Sequence, residues 1–168
     1  VQLDACRRAG HNVTWHTDNG GEFVSHDLDE FCDEFAVKRS FSVPYSPQLN
    51  SHAERMWGIL LRTVRVTIAE SGISERFWTY SMDNAVKLHN SLPSRKHPDH
   101  ISPHEALTGD KPDLGKFKVF GCIVWHFLPE HERSSKLAPR SVPGINLGLN
   151  PDGKGYLIYL PSRNRILP

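Results

Sequence analysis

Residues 45–55 read Tyr-Ser-Pro-Gln-Leu-Asn-Ser-His-Ala-Glu-Arg, a proline-containing loop that leads into a long helical pattern. Ser51 and Glu54 have the spacing of a capping box, in which the serine side chain caps the first turn and the glutamate reaches back to it. The pattern continues to Ser71, and a glycine directly after it, Gly72, is typical of a helix end. The segment therefore predicts a loop followed by a helix of about 30 Å, with Glu54 in its first turn.

The predicted helix has two different faces. Apolar residues recur at helical spacing and form a stripe that we expect to face a core: Trp57, Leu60, Leu61, Val64 and Ile68. Arg55, Arg62 and Arg65 fall on an adjacent face, and Glu54 projects onto the seam between the two. An acid in that position can contact a core on one side and a polyanion on the other. A glutamate with this spacing is more often only a helix cap, and that interpretation stays open at this point.

A second acid lies upstream, in the motif Thr-Asp-Asn-Gly-Gly-Glu-Phe at residues 17–23. Residues 12–17 alternate and include β-branched and aromatic side chains, which predicts a strand. Asp18 would then emerge at the carboxyl end of a strand, where α/β sheets place ligands. Seen alone, an aspartate before Asn-Gly is more often a plain turn former. Asp18 and Glu54 are separated by 35 residues, and two acids at element ends favour a metal-dependent phosphoryl-transfer site.

The remaining elements predict an α/β fold followed by a small, mostly-β region. Helices are expected from Ser25 to Phe35, from Ile73 to before Pro93, and from Ser102 to Gly109. A short strand is expected at 37–43, and later strands at 118–128, 144–149, 156–160 and 165–167. A shift in composition at residues 113–116 predicts two domains, 1–112 and 113–168.

Charge is distributed unevenly between these two predicted domains. Residues 1–112 contain 12 Lys and Arg against 15 Asp and Glu, whereas residues 113–168 contain 8 against 4. A basic region behind an acidic one suits a polyanionic substrate, although each basic side chain can equally be plain solvated surface. The three cysteines have no metal-binding spacing, and no apolar run approaches eighteen residues. We therefore expect an intracellular protein that does not associate with membranes.

The motifs, taken in order, resemble the integrase of copia-type retrotransposons, a relative of retroviral integrases. They are T-D-N-G-G-E-F, P-Y-S-P-Q-x-N-x-x-A-E-R, F-W, L-P-S, S-P-H-E-A-L-T-G-x-K-P and V-F-G-C. The resemblance covers almost the whole chain, including a final segment similar to the small β-barrel that follows the core in that family. It implies an RNase H-like core, here partial and lacking the first strands, with a basic β-barrel-like domain at 113–168.

The resemblance also implies a site and a chemistry. Asp18 and Glu54 would be the second and third members of an Asp, Asp, Glu triad that holds Mg²⁺, or Mn²⁺ in its place, for DNA end processing and joining. Tyr45, Gln48 and Asn50 would contact the DNA end. Phosphate contacts would come from Arg55, Arg62 and Arg65. The implied partners are element ends and target DNA, with a homo-oligomer in the intact enzyme, located in the nucleus or a virus-like particle.

The sequence departs from the family pattern at several points. The first triad aspartate belongs on an upstream strand, and Asp4 is too close to Asp18 to replace it. Ser51 occupies a position where the family has glycine. We therefore expect a truncated copy with two of the three triad acids, inactive alone. A domesticated, non-catalytic nucleic-acid-binding module and an RNase H-like nuclease of another kind are the alternatives.

Overall fold

The computed structural model describes residues 13–17, 20–41, 51–95, 98–152 and 154–168. Near the start, strand β1 (Thr14–Thr17) pairs in parallel with strand β2 (Lys38–Phe41). Helix α1 (His26–Glu34) lies between them in sequence and provides the crossover that a parallel pair requires. Both strands were predicted, and residues 12, 42 and 43 of the predicted ranges lie outside the described residues.

Helix α1 begins where its sequence predicts. The Ser25 hydroxyl accepts a hydrogen bond from the Leu28 backbone N–H at 3.4 Å, which caps the first turn. Cys32, on the inner face of α1, is buried. The ring of Phe31 stacks on that of Trp15 from β1, with 6.1 Å between the ring centroids. These contacts pack α1 against the strand pair.

Helix α2 (Ser51–Ser71) spans the predicted segment. Its end forms as expected, because the Gly72 N–H donates to the Ile68 carbonyl at 3.1 Å and Gly72 adopts a positive φ of 65°. Its start differs from the prediction. Ser51 already lies inside the helix, and within the described residues no side-chain hydrogen bond links it to Glu54. The predicted capping box is therefore not formed.

The apolar stripe of α2 is buried unevenly. Val64 is buried, and Leu60, Leu61 and Ile68 are half-buried. Trp57 is 52% exposed, so the expectation that the whole stripe faces a core was wrong at this position. The stripe is buried where Ile68 packs against a hydrophobic cluster, about three turns beyond Trp57.

Two further helices follow α2. A short 3-10 turn runs directly into helix α3 (Trp78–Ser91), and helix α4 spans Pro103–Thr108. Ser102 caps α4 by accepting a hydrogen bond at 3.0 Å from the N–H three residues on, and Gly109 ends it at a φ of 80°. Both helices were predicted. In the parts of the chain that the structure describes, no helix is both long and apolar enough to span a bilayer.

The C-terminal strands form an antiparallel sheet in sequence order. They are β3 (Ile123–Phe127), β4 (Ser141–Leu149), β5 (Tyr156–Leu160) and β6 (Arg165–Leu167). β3 begins five residues later than predicted, because Gly121, at a φ of 78°, turns the chain just before it. The other strands agree with the predicted ranges, apart from an earlier start of β4.

The hydrophobic cluster beside this sheet consists of Phe77, Phe120 and Leu147. Partly buried side chains pack around it: Ile68, Ile73, Tyr80, Ile145, Leu157, Tyr159 and Ile166. Leu60–Ser91 and Asp113–Pro168 accordingly form one compact unit, here called the second unit. Val1–Ile59 and Leu92–Pro112 form the other, the first unit.

These units differ from the predicted domains in one respect. Residues 60–91 group with the C-terminal strands, because their apolar side chains supply part of the same cluster. The division into 1–112 and 113–168 stays a prediction. The predicted fold class, α/β followed by a small, mostly-β region, is confirmed by the parallel pair with its helices and the antiparallel sheet.

Candidate functional site

The two parallel strands end at the same edge of their sheet. In the register of the pair, Thr17 lies opposite Phe41, the last residue of β2. Asp18 follows Thr17 directly in the sequence, and residues 42–50 follow Phe41. The chain therefore leaves both strands at one edge, which is where open α/β sheets present their ligand-binding loops.

Four of the predicted site residues lie outside the described residues: Asp18, Tyr45, Gln48 and Asn50. Their roles stay predictions. The structure describes the strand ends to which these residues are attached, and it describes the helix that begins after the loop.

Glu54 is an exposed residue in the first turn of α2. The positive end of the helix dipole favours its negative charge there. Within the described residues, Glu54 has no ion-pair or hydrogen-bond partner among the side chains. Its carboxylate is therefore accessible to a cation or to another ligand.

The three predicted phosphate-binding arginines are exposed along α2: Arg55, Arg62 and Arg65. None of them has an ion-pair partner in the described part of the chain. Arg65 borders a groove of about 510 Å³ that is also lined by Val64, Ile68, Ala69, Glu75 and Trp78. Unpaired, exposed guanidinium groups on one helix are available for phosphate contacts.

Arg39 makes a set of contacts that the sequence does not predict. From β2, its guanidinium donates to the Asp29 carboxylate of α1 and to the backbone carbonyl of Phe23. It also lies 4.7 Å from the centre of the Phe41 ring. Phe23 is the last residue of the Thr-Asp-Asn-Gly-Gly-Glu-Phe motif, so Arg39 ties the end of that motif to β2.

A second contact joins the strands near their ends. His16 Nδ1 and the Ser40 hydroxyl, on residues that are paired in register, form a hydrogen bond at 3.1 Å.

An arginine in a short strand, ten residues after an acid on the preceding helix, is the only sequence signal for the Arg39 contact. That signal is weak, because such pairs are common on solvated surfaces.

The fit of a divalent metal can be judged from the donor types. Carboxylate oxygens are the ligands that Mg²⁺ prefers, and Glu54 offers one at an accessible position. Within the described residues, no group of three or more His, Cys, Asp or Glu could hold a metal ion. The carboxylate of Glu54 is therefore a suitable donor type for Mg²⁺. The other predicted ligand, Asp18, lies outside the described residues, so the ligand pair of Asp18 and Glu54 stays a prediction.

Comparison with known proteins relates the chain to retroelement polyproteins. Residues 122–167 match the retroviral polymerase SH3-like domain, a range that includes β3 to β6. The relatives include retrovirus-related Pol polyproteins of transposons, which confirms the resemblance to retrotransposon proteins found in the motifs.

Two plant relatives show the extent of the match. The retrovirus-related Pol polyprotein from transposon TNT 1-94 of Nicotiana tabacum is 30% identical over 151 residues, which cover 90% of this chain and 11% of the relative. The corresponding polyprotein from transposon RE1 of Arabidopsis thaliana is 31% identical over 153 residues, or 91% of this chain and 10% of the relative. The chain thus spans about a tenth of the length of these relatives.

A solved structure of a simian T-cell lymphotropic virus intasome, in complex with PP2A regulatory subunit B56 gamma, is also similar. The match covers 99% of this chain and 59% of that chain, with 17% identity and a TM-score of 0.49.

Proposed function

We propose that this chain takes part in DNA integration as the part of an RNase H-like integrase core that contains Asp18 and Glu54, together with the following SH3-like region. The observation that carries the proposal is the register of the parallel pair. Thr17 and Phe41 end their strands side by side, so the segments that begin with Asp18 and with residue 42 start from one edge. Glu54 follows in the first turn of α2, with an accessible carboxylate.

The two carboxylates would hold Mg²⁺, or Mn²⁺ in its place. Such cations, when bound, polarise the phosphodiester and favour deprotonation of the attacking water or 3′-hydroxyl. Two neighbouring carboxylates repel each other, and this repulsion favours uptake of a divalent cation. Within this proposal, Asp18 and Glu54 supply two of three acids, so full turnover needs a further carboxylate.

The DNA would lie along the exposed side of α2. Tyr45, Gln48 and Asn50 belong to the loop that, by resemblance, reaches the DNA end. Arg62 and Arg65 are exposed and without ion-pair partners in the described residues, and these properties suit phosphate contacts. Phosphate contacts position the nucleic acid and do not select its sequence, so the proposal includes no target preference. We place the parent enzyme in the nucleus or in a virus-like particle, as a homo-oligomer.

The test measures metal binding first and turnover second. Mn²⁺ binding to the whole chain is followed by electron paramagnetic resonance, for the wild type and for Asp18→Asn, Glu54→Gln and Glu70→Gln. Glu70 is an exposed acid near the other end of α2 and serves as the matched control. We expect Asp18→Asn and Glu54→Gln each to weaken Mn²⁺ binding by tenfold or more, and Glu70→Gln to have no effect.

Strand-transfer, nicking and DNA-binding assays with a DNA end then separate the enzyme from the non-catalytic module. Robust turnover that Asp18→Asn abolishes would show that no further acid is needed. DNA binding that is insensitive to both acid substitutions and to Mn²⁺ would favour the non-catalytic module. Equal Mn²⁺ affinity in all four proteins would contradict the proposed metal site.

A further inference from the structure

Strand β3 is an edge strand with an exposed apolar face. It pairs with β4, and within the described residues no other strand pairs with it. Ile123, Trp125 and Phe127, which alternate along β3, are 73%, 68% and 62% exposed. Three large apolar side chains in a row on a free edge are unusual, because natural proteins protect such edges with charges, prolines or bulges.

The hydrogen-bonding groups on the outer edge belong to these same residues. In an antiparallel pair, residues alternate between those that bond to the partner strand and those that do not. The Leu128 N–H donates to the Arg140 carbonyl, and the Asn146 N–H donates to the Cys122 carbonyl. Even-numbered residues of β3 therefore bond to β4. The odd-numbered residues direct their N–H and C=O groups outward.

Pro143 agrees with this assignment. It lies opposite Trp125 in the register of β3 and β4. Proline has no N–H to donate, so the pair that it forms with Trp125 must be a non-hydrogen-bonded one. The outer edge of β3 thus presents both the backbone groups and the apolar side chains of Ile123, Trp125 and Phe127.

We propose that β3 pairs in antiparallel orientation with β3 of a second copy of this chain, about a two-fold axis at Trp125. In that pairing Trp125 faces its own copy, and Ile123 faces the partner's Phe127. Every cross-strand pair on the exposed face is then apolar, which stabilises paired strands. The outward backbone groups would form about six hydrogen bonds. This inference concerns the second unit and does not depend on Asp18 or Glu54.

The charges around β3 favour a second copy in this orientation. The strand itself contains no acidic or basic residue other than His126. Exposed Lys118 precedes the strand, and exposed Glu130 follows it. An antiparallel pairing places the end of β3 that Lys118 precedes, across the Gly121 turn, beside the end of the other copy that Glu130 follows, whereas a parallel pairing places identical ends together.

The area involved indicates a weak dimer. The three side chains together expose roughly 400 Å² per copy, since an aromatic side chain has about 150–250 Å² to bury. Edge pairing brings these side chains together sideways and leaves the outer face of the sheet open to water, so the interface would bury only part of this area, well below the roughly 1,200 Å² of a standard specific interface. We therefore expect a dissociation constant on the order of tens of micromolar.

The experiment uses a charge exchange at the proposed two-fold axis. Trp125→Lys and Trp125→Glu each place like charges face to face, and a mixture of the two variants places unlike charges there. Sedimentation of the whole chain is measured from about 5 to 200 µM. We expect the wild type to dimerise, each variant alone to be monomeric, and the mixture to form a heterodimer. Formation of the heterodimer also shows that both variants are folded.

Leu137→Lys is the control, because Leu137 is 98% exposed and lies outside β3. It should dimerise like the wild type. A wild-type chain that stays monomeric at 200 µM would overturn the proposal, as would a Trp125→Lys variant that dimerises normally. Tryptophan fluorescence that a single-stranded oligonucleotide quenches in the monomeric wild type but not in Trp125→Lys would identify nucleic acid as the occupant and would also overturn the proposal.

Discussion

Thr17 and Phe41 lie side by side at the carboxyl ends of two parallel strands. This pairing brings the residue before Asp18 next to the residue that precedes segment 42–50. Those residues are 24 positions apart in the chain, and the crossover through α1 makes them neighbours. The proposed metal site depends on these two strand ends lying side by side.

Substitution of Arg39 should destabilise the first unit. Arg39→Met removes the donors to the Asp29 carboxylate and to the Phe23 carbonyl while keeping most of the apolar stem. Because the Asp29 side chain is 59% exposed, we expect a loss of only about 1–2 kcal/mol in the free energy of unfolding. Urea denaturation followed by the amide NMR signals of β1 and β2 measures it.

Lys38→Met is the control for Arg39, since Lys38 is an exposed residue of the same strand. It should change the free energy of unfolding by less than about 0.5 kcal/mol. A double-mutant cycle with Asp29→Asn isolates the ion pair. Equal effects of Arg39→Met and Lys38→Met would show that Arg39 does not position the strand.

Gly121 should not tolerate a side chain. A Cβ at this residue would lie 2.3 Å from the Cβ of Ser71, and its φ of 78° is strained for any other residue. We expect Gly121→Ala to lower the free energy of unfolding of the second unit by about 2–5 kcal/mol. Thermal denaturation monitored by circular dichroism measures this loss.

Gly155 provides the matched comparison for Gly121. Its φ is 76°, and nothing lies within 4 Å of the position of an added Cβ. Gly155→Ala should therefore cost only the backbone strain, about 1–2 kcal/mol. Combining Gly121→Ala with Ser71→Gly should restore part of the loss. If both alanine variants are equally stable, the close approach to Ser71 has no energetic consequence.

Glu132 should titrate below the ordinary range. A hydrogen bond of 2.7 Å from Arg163 lowers the pKa of Glu132 from its usual value of 4.5, and the nearby charges of Arg163, His131 and His126 act in the same direction. A smaller desolvation effect opposes them. Arg163→Gln should therefore raise the pKa of Glu132 towards 4.5, which an NMR titration of the side-chain carboxyl measures.

The same shift has a consequence for acid stability. The pKa of Glu132 is lower in the folded than in the unfolded state. Its ionised carboxylate therefore stabilises the folded state fully above pH 4.5, and this stabilisation is lost as the pH falls through the lowered pKa. Glu132→Gln should make stability less dependent on pH below 4.5 and leave its slope near neutral pH unchanged. An unchanged slope below 4.5 would contradict the shift.

Arg62 should contribute to DNA affinity through charge alone. It is exposed on α2, so Arg62→Gln should leave the thermal stability of the chain unaltered. We expect the slope of log affinity against log salt concentration to decrease by about 1, equally for DNA of different sequences. Fluorescence anisotropy over a salt series measures it. Arg95→Gln, a substitution of an exposed residue outside α2, is the control. An equal effect of both substitutions would indicate non-specific electrostatic attraction.

Local patterns in the sequence predicted most elements and the resemblance to retrotransposon proteins. Ser25 and Ser102 begin their helices, and Gly72 and Gly109 end α2 and α4, because capping depends on residues within one turn. The period of the apolar residues predicted α2 over its full length. The ordered motifs were sufficient for the resemblance that the retrotransposon relatives confirm.

Only the tertiary structure decided which of these features are buried and which residues meet. The structure shows that Trp57 and Trp125 are exposed. It also shows that Gly121 approaches Ser71 and that Arg39 contacts Phe23, although no local sequence pattern links the members of either pair. Local propensities act over a few residues, whereas these contacts arise when distant segments pack against each other. The sequence therefore determined the elements and their order, and the packing determined the faces that they leave exposed.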